Sequence, residues 1–248
     1  MTADPLAQLL ELPGVADGVT AARGAVDALL NNRTLRRRSG DVSAESSLRG
    51  AWASAWLAGT EMALDDVRSG AAAADPVVQG ALRVQAAIPG LADTWTHAPR
   101  QALARLHALA AADLVADTSG LGRPAPARAV AARLDTLTAV LVTTSVPAVV
   151  VAAIVHGELL SLDAFAPVSG VVARAAVRLT LIDRGLDPKS LVVVEAGHRE
   201  LRAEYIAALE AYRTGTPGGI AQWLRHCADA VVAGARESSA ICEAMARG

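Results

Sequence analysis

Residues 156 to 174 read His156-Gly-Glu-Leu-Leu-Ser-Leu-Asp163-Ala-Phe165-Ala-Pro-Val-Ser169-Gly170-Val-Val-Ala-Arg174, and this stretch decides the fold. Apolar residues recur at three- and four-residue steps on both sides of it, over Pro147 to Leu160 and Val171 to Asp183, so both flanks are expected to be helices. Between them Asp163, Pro167, Ser169 and Gly170 supply turn chemistry. A helix–loop–helix unit follows, with its reactive side chains gathered in the loop. Taken singly, each has a plain structural reading beside a functional one. Asp163 suits an Asx turn or an N-cap, Arg174 a surface charge, and His156 a core position on an apolar helix. Phe165, the only phenylalanine of the chain, is expected to be core in any case.

Outward from the loop the same helical period dominates. Helices are expected over Asp4 to Leu12, Val15 to Asn31, Ser46 to Ala58, Asp65 to Ala74, Val77 to Ala87, Pro99 to Ala116 and Val130 to Leu141, and again over 199–213, 218–234 and 236–246. Arg33 to Glu45 is polar enough for a loop, and Ile88-Pro89-Gly90 reads as a break. Asp117 to Ala127 is rich in Gly and Pro and allows a surface loop or one short irregular β-hairpin. Val192 to Val194 could form a short strand, with nothing evident to pair with it. Pro147 suits the first turn of a new helix, with Ser145 near its N-cap. The expectation is an all-α, single-domain helical bundle spanning 1–248.

Composition narrows the function classes. The chain has 248 residues, 52% hydrophobic and 19% charged, enough for a buried core and unlike a disordered chain. Lys+Arg is 23 against Asp+Glu 25, a net charge of −2, which argues against nucleic acid or an anionic membrane as partner. Lys189 is the only lysine; with the abundant alanine this reflects a GC-rich coding bias and fits a bacterial chain. Cys227 and Cys242 are too few for a disulfide framework or a cysteine-based zinc site, read as small buried side chains, and fit a reducing cytoplasm. Met1 to Ala22 lacks the positive start of a secretory signal. Thr136 to Val155 is 20 residues without a charge, but its threonines and Pro147 split it into two pieces rather than one membrane span.

The loop resembles the signature of Fic proteins, the mostly AMP-transferring enzymes related to Doc toxins. Their motif reads His-x-Phe-x-(Asp/Glu)-Gly-Asn-Gly-Arg-x-x-Arg, in a loop between two helices. Here Asp163 stands at the catalytic His, and Phe165, Gly170 and Arg174 fall on the motif's Phe, second Gly and last Arg. His156 lies seven residues before Asp163, where the family typically carries another His. Later, Tyr205-Ile-Ala-Ala-Leu209 and Gln222-Trp223-Leu224 are similar to the family's Tyr-x-x-Ala-Leu and Trp-Leu helices. Nearer the front, Ser54-Ala-Trp-Leu-Ala58-Gly59-Thr60 looks like the autoinhibitory Ser-x-x-x-Glu-Gly segment with Ala58 at its glutamate. The resemblance spans roughly residues 50 to 235 and implies N-terminal helices over 1–98, holding the inhibitory-like segment 54–60, and a Fic-like core over 99–248 with its loop at 163–174.

The departures bear on chemistry. Fic transfer needs a base at the target hydroxyl, a carboxylate on Mg²⁺, backbone amides cradling phosphates and an arginine on the outer phosphates. Asp163 has an ordinary pKa of about 3.9 and is a poor base for a hydroxyl. Pro167 replaces the metal-binding acid and lacks an amide donor. Val168 replaces the first Gly, Ser169 the Asn, and Val171 the first Arg. The expectation is therefore a catalytically degenerate Fic-like protein serving as a binding or regulatory module without AMP transfer. Phe165, Ser169, Gly170, Arg174 and His156 are its candidate nucleotide contacts, and Asp163 marks the lost catalytic position. Ser54, Ala58 and Gly59 form the inhibitory-like segment. The alternative is an atypical nucleotide-dependent transferase that uses Asp163 in place of the His; a buried Asp163 carboxylate would favour it. A third reading is an all-α interaction protein whose Fic likeness is only descent. No metal site and no obligatory cofactor is expected; ATP or another nucleotide is the candidate ligand, and Mg²⁺ is disfavoured. A protein partner is expected, a homo-oligomer stays open, and the compartment is cytoplasmic. Trp52 and Trp56, four apart, suit the core, or a partner surface if exposed. Arg36-Arg37-Arg38 suits a solvated loop, and Glu195-x-x-His198 is a metal-like pair without companions.

Overall fold

Residues 4–247 are described by a computed structural model in which helices alone carry the regular structure. They are α1 (Val15–Leu30), α2 (Leu35–Leu57), α3 (Leu64–Ser69), α4 (Pro76–His97), α5 (Pro99–Ala111), α6 (Arg128–Thr143), α7 (Ala148–Leu162), α8 (Ser169–Asp183), α9 (Val194–Glu200), α10 (Arg202–Arg213) and α11 (Pro217–Arg247). Short 3₁₀ turns stand at Ala7–Glu11 and Thr118–Gly120. The helices α7 and α8 are the centre. Val150, Ala153, Val155 and Leu159 of α7 and Val172, Ala173, Ala176 and Leu179 of α8 are all buried; α8 is buried on every side, and α7 on all but a half-buried stripe at Ile154, Glu158 and Ser161. Around this pair, α4 covers α8, α5 lies on α4, and α11 runs against α1, α7, α9 and α10.

One polar contact line crosses this core. Arg174 and Arg178, one turn apart on α8, face Ser46, Gly50 and Ser54, spaced one turn apart on α2. Arg178 and Glu195 of α9 form a buried ion pair, 2% and 1% exposed, with Nη2 to Oε2 at 2.8 Å and Nε to Oε1 at 2.8 Å. Gln85 of α4 donates to the same carboxylate at 2.6 Å, and Arg178 Nη1 donates to the Ser190 carbonyl at 3.0 Å and to Ser46 Oγ at 3.3 Å. A Cβ at Gly50 would stand 2.5 Å from Arg178 Nη2, so a glycine is what lets the α2 backbone lie against the ion pair.

Several elements differ from the sequence expectation, each for a local reason. Arg33 to Glu45 is not a loop: from Leu35 it is the first half of α2, which is kinked at Arg38, where the backbone leaves the helical region. Its hydrophilic face hides buried Leu35 and Val42, and pairs such as Arg38–Asp41 and Arg49–Glu45 sit on its outer side. Ile88-Pro89-Gly90 does not break α4. Pro89 and Gly90 lie on the exposed side of α4, while buried Ile88 and Trp95 hold the helix down on either side. Residues 192–193 are extended but form no strand, and Val194 opens α9. The Asp187 carboxylate takes the Leu191 and Val192 amides at 2.9 and 2.8 Å, and the Val193 amide is shared between the Gly234 carbonyl and Ser238 Oγ.

The expected helix over 199–213 is split at Leu201, and 218–234 with 236–246 form the single helix α11. Gly234 does not end that helix, because it makes room for the Val193 backbone crossing it. The helix expected over Asp65 to Ala74 stops at Ser69, before the left-handed Gly70. Residues 117–127 hold a 3₁₀ turn and no hairpin. Ser145 does not cap α7: its amide and hydroxyl bond Asp4, and Pro147 is the N-cap. The uncharged stretch divides between α6 and α7, and no helix among the described residues is long and apolar enough to cross a membrane.

Removing one partner of a buried pair leaves a desolvated charge uncompensated, a cost of about 3–5 kcal/mol. Glu195→Ala is therefore expected to lower the urea-unfolding free energy by about that amount. A loss within the range of an exposed substitution, below about 0.5 kcal/mol, would show that the pair does not hold these helices.

Candidate active site

The loop between α7 and α8 is short because both ends are tied. Asp163 closes α7 in the left-handed region, at φ 45°, an uncommon conformation that Asp and Asn tolerate better than most side chains. Its side chain is exposed. The Ala164 carbonyl accepts the Ala125 amide at 2.8 Å from the 117–127 segment. Phe165 is 3% exposed, with its ring 5.4 Å from that of His107. Its amide donates to Ser169 Oγ at 2.9 Å, so Ser169 is spent on holding the loop.

Beside the loop lies a groove of about 470 Å³. Ala58 at the end of α2, Val168 and Val171 at the start of α8, and Tyr205 and Leu209 of α10 are among its lining residues, with Arg174 its only cation. Val168 and Val171 line the groove without filling it. Among the described residues no carboxylate and no imidazole lines it; Asp163, His156, Phe165 and Ser169 all lie outside.

Arg174 is 4% exposed and fixed on one edge. Its Nε donates to Ser54 Oγ at 2.9 Å and its Nη2 to the Ser54 carbonyl at 2.8 Å. Its Nη1 sits against the first turn of α8, where a Cβ at Gly170 would be 3.1 Å away. The inhibitory-like segment thus does reach Arg174, through Ser54 rather than through a side chain at Ala58, which is exposed in the groove wall. The guanidinium stands against Gly170 in the first turn of α8 and is also faced by the Tyr205 hydroxyl; the N-terminus of this 15-residue helix has no side-chain cap, and it and the guanidinium both favour negative charge. Four of the expected residues, Ser54, Ala58, Gly170 and Arg174, are brought together.

Behind Arg174 stands a buried aromatic cluster that the sequence did not single out as a unit. The Tyr205 hydroxyl and His156 Nε2 are 2.9 Å apart, and His198 Nδ1 and His226 Nε2 are 3.0 Å apart. Trp223 packs among them and donates to the Ala153 carbonyl at 2.7 Å. Burial, reinforced by the Arg174 charge and by His226, holds His156 well below the ordinary imidazole range. Burial, then His156 and His226, does the same to His198, and burial brings His226 to about 4. Burial raises the Tyr205 phenol, with Arg174 opposing. His156 Nδ1 has no partner among the described residues. Glu195 and His198 do not act as a pair: Glu195 serves Arg178, and His198 faces the histidines. Among the described residues no group of three or more His, Cys, Asp or Glu side chains is placed to hold a metal ion. A spatial cluster assembled from α7, α9, α10 and α11 left no local signal beyond the Tyr-x-x-Ala-Leu and Trp-Leu pieces.

Comparison with solved structures accounts for the arrangement. A Fic family protein from Desulfovibrio desulfuricans G20 superposes with a TM-score of 0.77 at 18% identity, over 92% of this chain and 75% of that one. Residues 134–508 of Fic-1 from C. elegans give 0.71 at 16% identity, over 93% and 73%, and a variant of the same fragment gives 0.68 at 18%, over 91% and 72%. No family model and no curated protein matches by sequence. The chain has the all-α fold of Fic family proteins.

The three neutral histidines set a pH dependence. Their folded pKa values lie below the unfolded value of about 6.5, so the unfolded chain binds protons first as pH falls. Their contribution is complete above about pH 6.5 and is lost below it, toward the folded values, at up to about 1.4 kcal/mol per pH unit for each histidine. Urea midpoints compared at pH values of about 7.5 and 5.5, above the ordinary carboxylate range, should fall on acidification. A flat profile would mean that the histidines titrate alike in the folded and unfolded chain, and a midpoint that rises on acidification would mean that the folded cluster is protonated.

Proposed function

We propose that this Fic-fold chain is a binding or regulatory module that takes an anionic ligand, the phosphates of a nucleotide, in the groove beside residues 167–174 and does not transfer AMP. The single observation behind this reading is the groove's lining: one guanidinium and helix-terminal amides, with neither carboxylate nor imidazole. Transfer to a hydroxyl requires a base within hydrogen-bond reach of the proton, and the groove offers none. Magnesium requires several oxygen ligands, usually one or two of them carboxylates. Pro167 and the surrounding aliphatic walls do not fit that ion. Asp163, exposed at the end of α7 and outside the groove, has none of the burial that would favour a catalytic carboxylate.

What remains is suited to binding. Arg174 is pre-positioned by Ser54, with its outer edge turned toward the first turn of α8. A charge-assisted hydrogen bond from a fixed guanidinium needs little further ordering of the side chain. The aliphatic walls can cover the base of a nucleotide. A protein partner then reads the occupied or empty groove, which is how a module without chemistry would act in regulation.

Calorimetric titration with ATP should show binding of equal strength with and without Mg²⁺, and incubation with α-labelled ATP should leave no label on protein. Ala58→Glu places a carboxylate in the groove wall at an exposed position. It should weaken ATP binding at least about tenfold by occupying or repelling at the anion spot, with the melting temperature unchanged. Label transfer that Asp163→Ala abolishes would overturn the reading in favour of an active transferase. No heat with ATP would remove the nucleotide from it.

A further inference from the structure

The end of α2, the end of α9 and the start of α10 carry a second cluster, separate from the groove's anion spot. Trp52 and Trp56 are half-buried rather than core. The Arg199 guanidinium lies 4.1 Å from the Trp52 ring centre and 5.1 Å from that of Trp56, and the Arg202 guanidinium lies 5.1 Å from Trp56. Neither arginine forms an ion pair among the described residues. Glu200, between them in sequence, is taken by Arg236 at 2.8 Å. Arg199 Nε is buried without an acceptor. One turn beyond Arg202, on the same face of α10, Ile206 is 53% exposed.

Stacking on an indole holds a guanidinium in place through the ring's negative face and leaves its in-plane N–H groups free. Two such groups, fixed side by side and uncompensated, call for negative charge, and the exposed Ile206 calls for an apolar contact next to it. Trp, Arg and an exposed aliphatic residue together have the make-up of an interface anchor. We propose that this surface docks an acidic peptide segment of a partner protein, its carboxylates on Arg199 and Arg202 and an apolar side chain on Ile206. A nucleic acid fits less well. Each indole already carries a guanidinium over its ring, where a base would need a free face to stack, and the chain has no basic excess. The proposal stands whether or not the groove takes a nucleotide.

Fluorescence anisotropy of the full chain with a labelled polyglutamate peptide interrupted by leucines tests it, against the same peptide with glutamine for glutamate and against oligothymidylate. The glutamate peptide should bind about tenfold or more tighter than its glutamine counterpart, and should weaken as salt is raised. Arg202→Gln, at an exposed position, and Arg199→Gln should each reduce its affinity about tenfold, and Ile206→Asp should reduce it too, with melting temperatures unchanged for Arg202→Gln and Ile206→Asp. Equal binding of both peptides, no detectable binding of the glutamate peptide, or indifference to Arg202→Gln and Ile206→Asp would each overturn the proposal. Oligothymidylate binding as tightly as the glutamate peptide and displacing it would overturn it in favour of a nucleic-acid surface.

Discussion

Two buried arginines on one face of α8 constrain almost everything else. Arg174 and Arg178 lie against the Ser46, Gly50 and Ser54 ridge of α2, so the two helices meet through polar contacts inside an aliphatic core. A guanidinium is costly to bury and has five donors to satisfy, which makes the register of this contact specific where aliphatic packing would tolerate slippage. Arg178 closes its account on Glu195, Ser46 and Ser190 and thereby fixes α9 and the extended residues before it. Arg174 is held by Ser54 and faced by Tyr205 at the groove. The same contact line that holds the fold at one end opens into the groove at the other.

That register also sets what the groove can do. With Ser54 bound to Arg174, the chain reaches Ala58 one turn later, at the groove wall, where a small side chain leaves the space open. The N-terminus of α8 lies beside the guanidinium, and its valines make the walls apolar, a combination that favours negative charge. Behind it lies the buried histidine cluster, whose imidazoles desolvation keeps uncharged.

Much of this was legible in the chain itself. The helix–loop–helix around Asp163 and the long helical period follow from residue type and spacing, whereas singling out Ser54, Ala58, Pro167, Gly170 and Arg174 rested on the resemblance to the Fic motif. What misled was local chemistry read without its surroundings. A polar run at 33–45 looked like a loop, yet two buried residues, Leu35 and Val42, suffice to seat it as helix. Pro89-Gly90 looked like a stop, yet both face water inside α4. Trp52 and Trp56 looked like core, but arginines from distant sequence positions cover them instead.

The all-α class and the position of the loop between α7 and α8 were set locally, because helical period and turn residues are properties of neighbouring side chains. Only the tertiary structure decided which partners the buried charges take. It gave Ser54 to Arg174 and Glu195 to Arg178, gathered His156, His198 and His226 from three helices, and left Asp163 outside the groove. Each of these pairings joins residues brought together by packing. Desolvation makes their energies large, but nothing in the spacing along the chain encodes them.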